Sequence, residues 1–113
     1  MNPYLSDVTR VRLEEIGPKP GATAGNPVES ALEISDDGRV STGIWECTPG
    51  EFPSEKRGIG EFMVFLSGEG TITDEDGTAH EIGAGVAMWF PDGWRGTWLI
   101  RETIRKAYTI IAT

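Results

Sequence analysis

Glycine and proline cut this sequence into short segments. Fifteen Gly and seven Pro residues divide the 113-residue chain at spacings of about 8 to 12 residues, a rhythm typical of all-β sandwiches and barrels. The segments between them are rich in Val, Ile, Thr, Phe and Trp, which favour strands. We predict strands at Val28–Ile34, Val40–Glu46, Glu61–Leu66, Gly70–Asp74, Ala79–Ile82, Val86–Phe90, Gly96–Arg101 and Ile104–Ile111.

The chain is predicted to consist of an N-terminal arm, residues 1–27, and one domain, residues 28–113. Within the arm, residues 8–16 suit either one strand or a short helical turn, whereas residues 17–27 contain too much Gly and Pro for either. Within the domain, Asp76-Gly77 separates two β-rich segments and predicts a hairpin, because glycine adopts a positive φ without strain.

Composition excludes several classes of protein. Ten basic residues against 18 acidic ones give a net charge of −8, which argues against a nucleic-acid partner and against an anionic membrane surface. No apolar run has the roughly 18 to 20 residues that a membrane span needs, and no signal peptide is visible at the N-terminus. The single cysteine, Cys47, and the absence of any internal disulfide fit a reducing, cytoplasmic environment.

Four strings of residues resemble the cupins, specifically the small single-domain cupins grouped with (S)-ureidoglycine aminohydrolase and the ethanolamine-utilisation cupin. They are Gly43 to Gly50, Glu61 to Gly68, Thr71 to Gly77 and Pro91 to Trp98, followed by Arg105-Lys106-Ala107-Tyr108. The resemblance implies a double-stranded β-helix, the cupin jelly-roll barrel of two antiparallel sheets. It does not fix the function, because this fold carries many chemistries.

The resemblance also implies where a metal ion would bind, since cupins usually hold one with a Glu and three His. Glu61 and Gly68 keep the spacing of the first motif. Its two histidine positions fall on Ser54 and Lys56, or on Glu55 and Arg57. In the second motif the histidine position is Gly96. One carboxylate alone does not hold a transition metal against water, so we predict neither a metal nor any other cofactor.

Glu61 is the candidate site residue, with two interpretations left open. It is either a general base or anchor for an amine or guanidine ligand, or a buried carboxylate paired with Arg or Lys. Lys106 and Tyr108 alternate on the last strand and so share a face with each other. They are tentative acid–base partners for Glu61, although an edge position for Lys106, paired with Glu102 on the surface, is the preferred alternative.

Aromatic residues are the remaining candidates for ligand contact. We expect Trp94, in the Pro-Asp-Gly-Trp turn, to lie exposed at the barrel mouth, and we include Trp98 and Met88 among the ligand-binding residues. Trp45 and Trp89 are assigned to packing. His80, on the acidic hairpin, is expected to be a solvated surface histidine, and Cys47 a buried, unreactive thiol.

The sequence therefore predicts a metal-free cupin that binds a small molecule in its barrel or has no catalytic activity. One alternative is a metal-independent isomerase, lyase or amidohydrolase-like enzyme using Glu61 with Tyr108 or Lys106. Another is a structural or regulatory dimer. An open cavity lined by Glu61, Tyr108 and a basic residue would favour the ligand binder or the enzyme, whereas a barrel filled by Met63, Phe65 and Met88 would favour the structural protein. Strands that are apolar on both faces also predict a homodimer.

Overall fold

The computed structural model describes residues 4–113, which form an all-β structure. No segment in that range forms a helix long and apolar enough to cross a membrane. The described residues form nine strands: β1 (Glu14–Pro18), β2 (Ala24–Gly25), β3 (Val28–Asp36), β4 (Val40–Cys47), β5 (Gly50–Glu55), β6 (Ile59–Asp74), β7 (Ala79–Gly83), β8 (Ala87–Phe90) and β9 (Arg95–Ala112). The predicted all-β fold class is confirmed.

Strand β9 is the centre of the sheet topology. On one side it pairs antiparallel with β4 through residues 104–111 and with β5 through residues 95–100. On the other side it pairs antiparallel with β6 along almost its full length. Strand β6 also pairs with β7 and β8. The sheet therefore curls into a jelly-roll barrel in which the paired strands β6 and β9 connect its two parts.

Both long strands were predicted as two shorter strands each. The predicted breaks at residues 67–69 and 102–103 contain no proline, so the backbone continues through them as a bend. The β6–β9 register shifts between Phe65 and Ser67 and again on both sides of Glu69, and such bulges bend a strand without ending it. Gly68 lies in the bend with φ +93°, and a Cβ there would come within 2.6 Å of the Cα of Ile104. Only glycine allows this close approach of two backbones.

Two further predictions are wrong, since regular strands begin well before Val28. In the predicted arm, β1 pairs antiparallel with β3 and β2 pairs with β5. Strand β5 itself was not predicted, because Gly50 and Pro53 are residues that normally interrupt strands. Pro53 is tolerated because β5 has a long partner on one side only. On the other side it meets just the two residues of β2.

The barrel interior is divided into a packed part and an open part. Ten buried residues form the packed core, among them Met63, Phe65, Ile72, Phe90 and Ile104. Along β6 the side chains alternate, so that Glu61, Met63 and Phe65 lie inside while Phe62 is exposed on the outer face. The open part of the interior lies around Glu61.

Candidate functional site

A cavity of about 270 Å³ opens into the barrel where β3, β4, β5, β6 and β9 meet. Its charged lining residues are Lys19, Glu29, Lys56, Glu61 and Lys106, and Tyr108 lies beside them. Residues Ile16 and Lys19, from the predicted arm, close one side of it. The cavity therefore combines the motif residue Glu61 with the N-terminal segment, a contribution that the sequence patterns did not indicate.

Glu61 is held by two lysines. Its side chain is only 2% exposed, yet Oε1 lies 2.8 Å from Nζ of Lys56 and Oε2 lies 2.7 Å from Nζ of Lys106. Burial alone would raise the pKa of the Glu61 carboxyl, but the two ammonium groups outweigh burial and hold that pKa below its ordinary value. Of the two interpretations of Glu61, the structure matches the buried, paired carboxylate. Both carboxylate oxygens are engaged, so an anchoring role for a cationic ligand loses its support.

Lys106 is buried, and the predicted surface pair with Glu102 is wrong. Its ammonium lies 4.6 Å from the ring centroid of Trp45 and 4.9 Å from that of Trp98, in addition to its bond with Glu61. These aromatic faces stabilise a cation that has left water. Burial nevertheless lowers the pKa of Lys106 below its ordinary value, against the opposing attraction of Glu61. The charged form of Lys106 is thus less favourable inside the barrel than that of a lysine in water.

A second ion pair lies where the N-terminal segment borders the cavity. Nζ of Lys19 is 3.3 Å from Oε1 of Glu29, and the same oxygen accepts a hydrogen bond of 2.9 Å from the indole N–H of Trp45. Lys19 also lies 5.0 Å from the centroid of Phe52. The sequence contains three lysines in all, and every one of them lines this cavity.

Tyr108 lines the same cavity, as its predicted shared face with Lys106 requires. Its ring lies against Gly43 on the neighbouring strand, where an added Cβ would come within 2.5 Å of the phenol oxygen. Burial, and then the charge of Glu33, raises the pKa of Tyr108. Among the described residues its hydroxyl makes no hydrogen bond with Glu61 or Lys106, so the three predicted acid–base residues share a cavity without forming one hydrogen-bonded unit.

Trp98 forms the aromatic wall and carries an unsatisfied donor. It is 2% exposed, stacks on Phe52 with 5.8 Å between ring centroids, and meets Trp45 edge-on at 5.5 Å. Its indole N–H is buried and has no hydrogen-bond partner in the part of the chain that the structure describes. An unsatisfied buried donor costs about 1 to 3 kcal/mol, so this N–H marks a position where an acceptor would be stabilising.

Two of the predicted ligand-binding residues lie elsewhere. Trp94 is partly buried rather than exposed at the mouth: it stacks on Phe90 at 3.7 Å between centroids and donates its indole N–H to Oδ1 of Asp74 at 3.0 Å. Met88 packs against the core. Neither residue lines the Glu61 cavity. The Trp94 prediction rested on the position of this residue in the Pro-Asp-Gly-Trp turn, whereas its ring stacks on Phe90 instead.

The donor set around Glu61 does not fit a divalent metal ion. Ser54 and Lys56, rather than Glu55 and Arg57, face the cavity, and Ser54 lies directly opposite Gly96 on β9. A side chain at Gly96 would meet the indole of Trp94, which lies 2.6 Å from an added Cβ. At Glu61, ammonium groups already contact both oxygens. Among the described residues, no group of three or more His, Cys, Asp or Glu side chains is placed to bind a metal.

The remaining candidates lie outside the cavity. His80 is half-buried on the β6–β7 hairpin, and its Nε2 lies 2.8 Å from Oδ2 of Asp74, so it is paired rather than simply solvated. Cys47 is fully buried as predicted, and burial followed by the charge of Glu29 raises the pKa of its thiol to about 11. A wider depression of about 610 Å³ lies on the surface near Arg95 and Glu75, but both of these charged residues are well exposed, and it offers no buried polar group.

The curled antiparallel sheet and the cavity inside it define a cupin barrel. Residues 34–108 match the family model of the EutQ-like cupin domain, and the chain belongs to that family. A search among curated proteins finds no match.

Solved structures support the fold. The EutQ protein of Clostridium difficile superposes with a TM-score of 0.66 at 16% identity, over 76% of this chain and 69% of that one. A protein of unknown function from Pseudomonas syringae gives 0.80 at 21% identity, over 92% of this chain but only 46% of its own. A predicted oxalate decarboxylase from Thermotoga maritima gives 0.72 at 18% identity, over 97% and 100%. At such identities the likeness concerns the fold alone.

Proposed function

We propose that this cupin binds a small molecule in the barrel cavity around Glu61, without the help of a metal ion. The observation that supports the proposal is the placement of a buried Lys56–Glu61–Lys106 network on the wall of an open cavity. Ligand sites typically combine an apolar wall with a few convergent polar groups, and here Trp45, Phe52 and Trp98 supply the wall.

Stability alone is a poor reason for such a network. Desolvating charged groups costs several kcal/mol per ion, and apolar residues of similar volume often stabilise a protein as well or better. The packed half of the same barrel shows that this chain can fill its interior with Met, Phe and Ile. A charged cluster beside unfilled space is accordingly better explained by an occupant than by packing.

Ligand-induced stabilisation tests the proposal. We expect members of a metabolite panel to raise the melting temperature of the wild-type protein, because a ligand that binds only the folded state stabilises it in proportion to its occupancy. Filling the cavity with Ala31→Phe, whose side chain would enter from β3, should abolish that stabilisation. As a matched control, the same enlargement at Ala79, which is exposed on β7, should leave it intact. A panel without any stabilising compound would count against a ligand site.

A metal-independent acid–base enzyme is the second candidate. The specific observation in its favour is Lys106, a buried amine at a cavity wall whose lowered pKa moves it toward the range in which amines accept protons. Tyr108 would then supply a hydroxyl from the same strand. This enzyme would be favoured if the wild type converts a bound compound and Lys106→Met still binds that compound without converting it. The resemblance of the sequence motifs to (S)-ureidoglycine aminohydrolase concerns the fold and does not support this chemistry.

We place the protein in a reducing, cytoplasmic setting as part of the same proposal. The support is the single cysteine of the sequence, which is free and buried. Disulfides are the usual reinforcement of small extracellular domains. Recovery of the native protein in the cytoplasmic fraction of its source cells would agree with this setting.

A further inference from the structure

We propose that the occupant of the cavity is a small carboxylate monoanion, an inference that rests on the proposed function because it names the chemistry of the same site. Three observations lead to it: the sign of the charge in the cavity, the surplus of hydrogen-bond donors over acceptors, and the size and shape of the space.

The cavity is cationic in an acidic protein. Three lysines and two glutamates line it, a surplus of one positive charge, although the chain as a whole carries −8. The sequence has three lysines among its ten basic residues, and all three lie here, whereas no arginine does. A local excess of one sign attracts the opposite sign, and low-dielectric walls strengthen the attraction.

The hydrogen-bond donors of the cavity also favour an anion, because they outnumber the acceptors. Glu61 already accepts from Lys56 and Lys106, and Glu29 accepts from Lys19 and the indole of Trp45. Each ammonium has three N–H donors, but each makes only one side-chain contact with an acidic partner in the described part of the chain. The buried indole N–H of Trp98 adds another donor without a partner. A ligand that complements this wall must bring acceptor oxygens.

The geometry of the space selects among anions. A volume of about 270 Å³ lies just below the range of about 300 to 1,000 Å³ that suits drug-sized ligands, so the space favours a ligand smaller than a nucleotide or a peptide. A phosphate monoester carries about −1.5 to −2 charges at pH 7, more than the surplus of the cavity. A carboxylate carries one charge, and the flat faces of Trp45 and Trp98 suit a planar group attached to it.

Matched pairs of probes test the charge directly. Binding of benzoate and of acetate is compared by calorimetry with that of benzamide and acetamide, which have the same shape without the charge. Benzylamine and inorganic phosphate complete the set. We expect a carboxylate to bind at least ten-fold more tightly than its amide, with benzylamine and phosphate weaker still.

Variants locate the effect. Lys56→Met should weaken carboxylate binding at least ten-fold, whereas Arg57→Met, the same loss of charge at the next residue but on an exposed side chain, should not. Lys19→Met, at the partly exposed end of the cavity, serves if Lys56→Met fails to fold. In ¹⁵N spectra the indole signal of Trp98 should shift on carboxylate addition, while that of Trp94, already bonded to Asp74, should not.

The outcomes separate the two proposals. Amides or benzylamine binding as tightly as benzoate would overturn the carboxylate assignment and leave the ligand site standing, and so would a preference for phosphate. Carboxylate binding that Lys56→Met and Lys19→Met both leave unchanged would also overturn it, because the anion would then lie outside the cavity. If no probe binds and no neutral metabolite in the panel raises the melting temperature, the ligand site itself would be overturned.

Discussion

The ammonium of Lys106 lies 2.7 Å from the carboxylate of Glu61 inside the barrel, although 45 residues separate them in the chain. The two residues are not direct partners across the β6–β9 pairing, since Glu61 lies opposite Ile110 and Lys106 opposite Phe65. The long lysine side chain therefore runs along the interior of the barrel to reach the carboxylate. This contact joins the two strands on which the whole topology depends.

Removing the charge of Glu61 should destabilise the fold. Glu61→Gln leaves two ammonium groups facing a neutral amide in a site that is 2% exposed, and breaking one partner out of a buried ion pair costs about 3 to 5 kcal/mol. Urea denaturation would measure the loss. Glu61→Gln combined with Lys106→Met should recover part of it, because an uncompensated charge is removed. A loss below about 1 kcal/mol would mean that the pair behaves as a surface ion pair.

The same pair predicts a loss of stability in acid. The pKa of Glu61 in the folded protein lies below its ordinary value of 4.5, so its charge stabilises the fold at any pH above about 4.5. As the pH falls from 4.5 through the lower folded-state pKa, Glu61 takes up a proton and that contribution disappears. The free energy of unfolding of the wild type should thus fall more steeply over this range than that of Glu61→Gln. Parallel curves would contradict the assignment.

Cys47 should be unreactive in the folded state. Burial and the charge of Glu29 raise the pKa of its thiol to about 11, and the thiolate is the reactive form. Alkylation by iodoacetamide at pH 8 should proceed only as fast as the protein unfolds, and should become rapid in denaturant. Rapid alkylation of the native protein would show that the site opens without global unfolding.

The purified protein should contain no stoichiometric transition metal. The donor set at Ser54, Lys56 and Gly96 provides no imidazole, and lysine ammonium groups occupy both oxygens of Glu61. Elemental analysis should therefore find far less than one Zn, Fe, Mn or Ni per chain, and a chelator should leave the melting temperature unchanged. About one metal ion per chain, lost in Glu61→Gln, would contradict this prediction.

The outer face of β6, β8 and β9 should form a homodimer interface. Phe62, Trp89 and Ile111 are 43%, 52% and 39% exposed, and Phe62 lies opposite Trp89. The neighbouring outward positions, Val64, Ala87, Ala107 and Thr109, carry no charge. Two copies of a chain with net charge −8 can approach there without bringing like charges together, and the contact would cover apolar surface.

Light scattering at micromolar concentration would test this interface. The wild type should be dimeric, and Phe62→Glu should be monomeric because it places two carboxylates against each other. Leu99→Glu, a similar change at an exposed position elsewhere on β9, should remain dimeric. A wild-type monomer would contradict the prediction.

Local patterns in the sequence predicted much of the fold. The hairpin at Asp76-Gly77 forms as expected, with Thr73 opposite Ala79 and Gly77 at φ +93°, because turn chemistry is decided by adjacent residues. Strand β5 and the pairing of β1 were missed because their stability comes from distant partners. The segment before β1 likewise depends on a distant residue, since Nη1 of Arg105 donates to the carbonyl oxygens of Val8 and Val11, each 2.9 Å away.

The site was predictable only in part. Glu61, Trp98, Lys106 and Tyr108 line one cavity, although for Lys106 the preferred prediction was a surface pair with Glu102. Lys19, Lys56 and Glu29 were missed as site residues. A lysine is usually assigned to the surface, and its burial becomes visible only when the carboxylate partner is located in space. The scarcity of lysine in the sequence was a signal that could have been used.

The confinement of lysine to the cavity affects how the protein responds to amine chemistry. The side chains of Lys19, Lys56 and Lys106 are 26%, 14% and 7% exposed, and the remaining basic residues of the sequence are seven arginines and one histidine. An acyl donor or an activated ester therefore finds no lysine on the outer surface. Acylation of this protein at a lysine would remove a positive charge from the cavity wall and so act directly on the site.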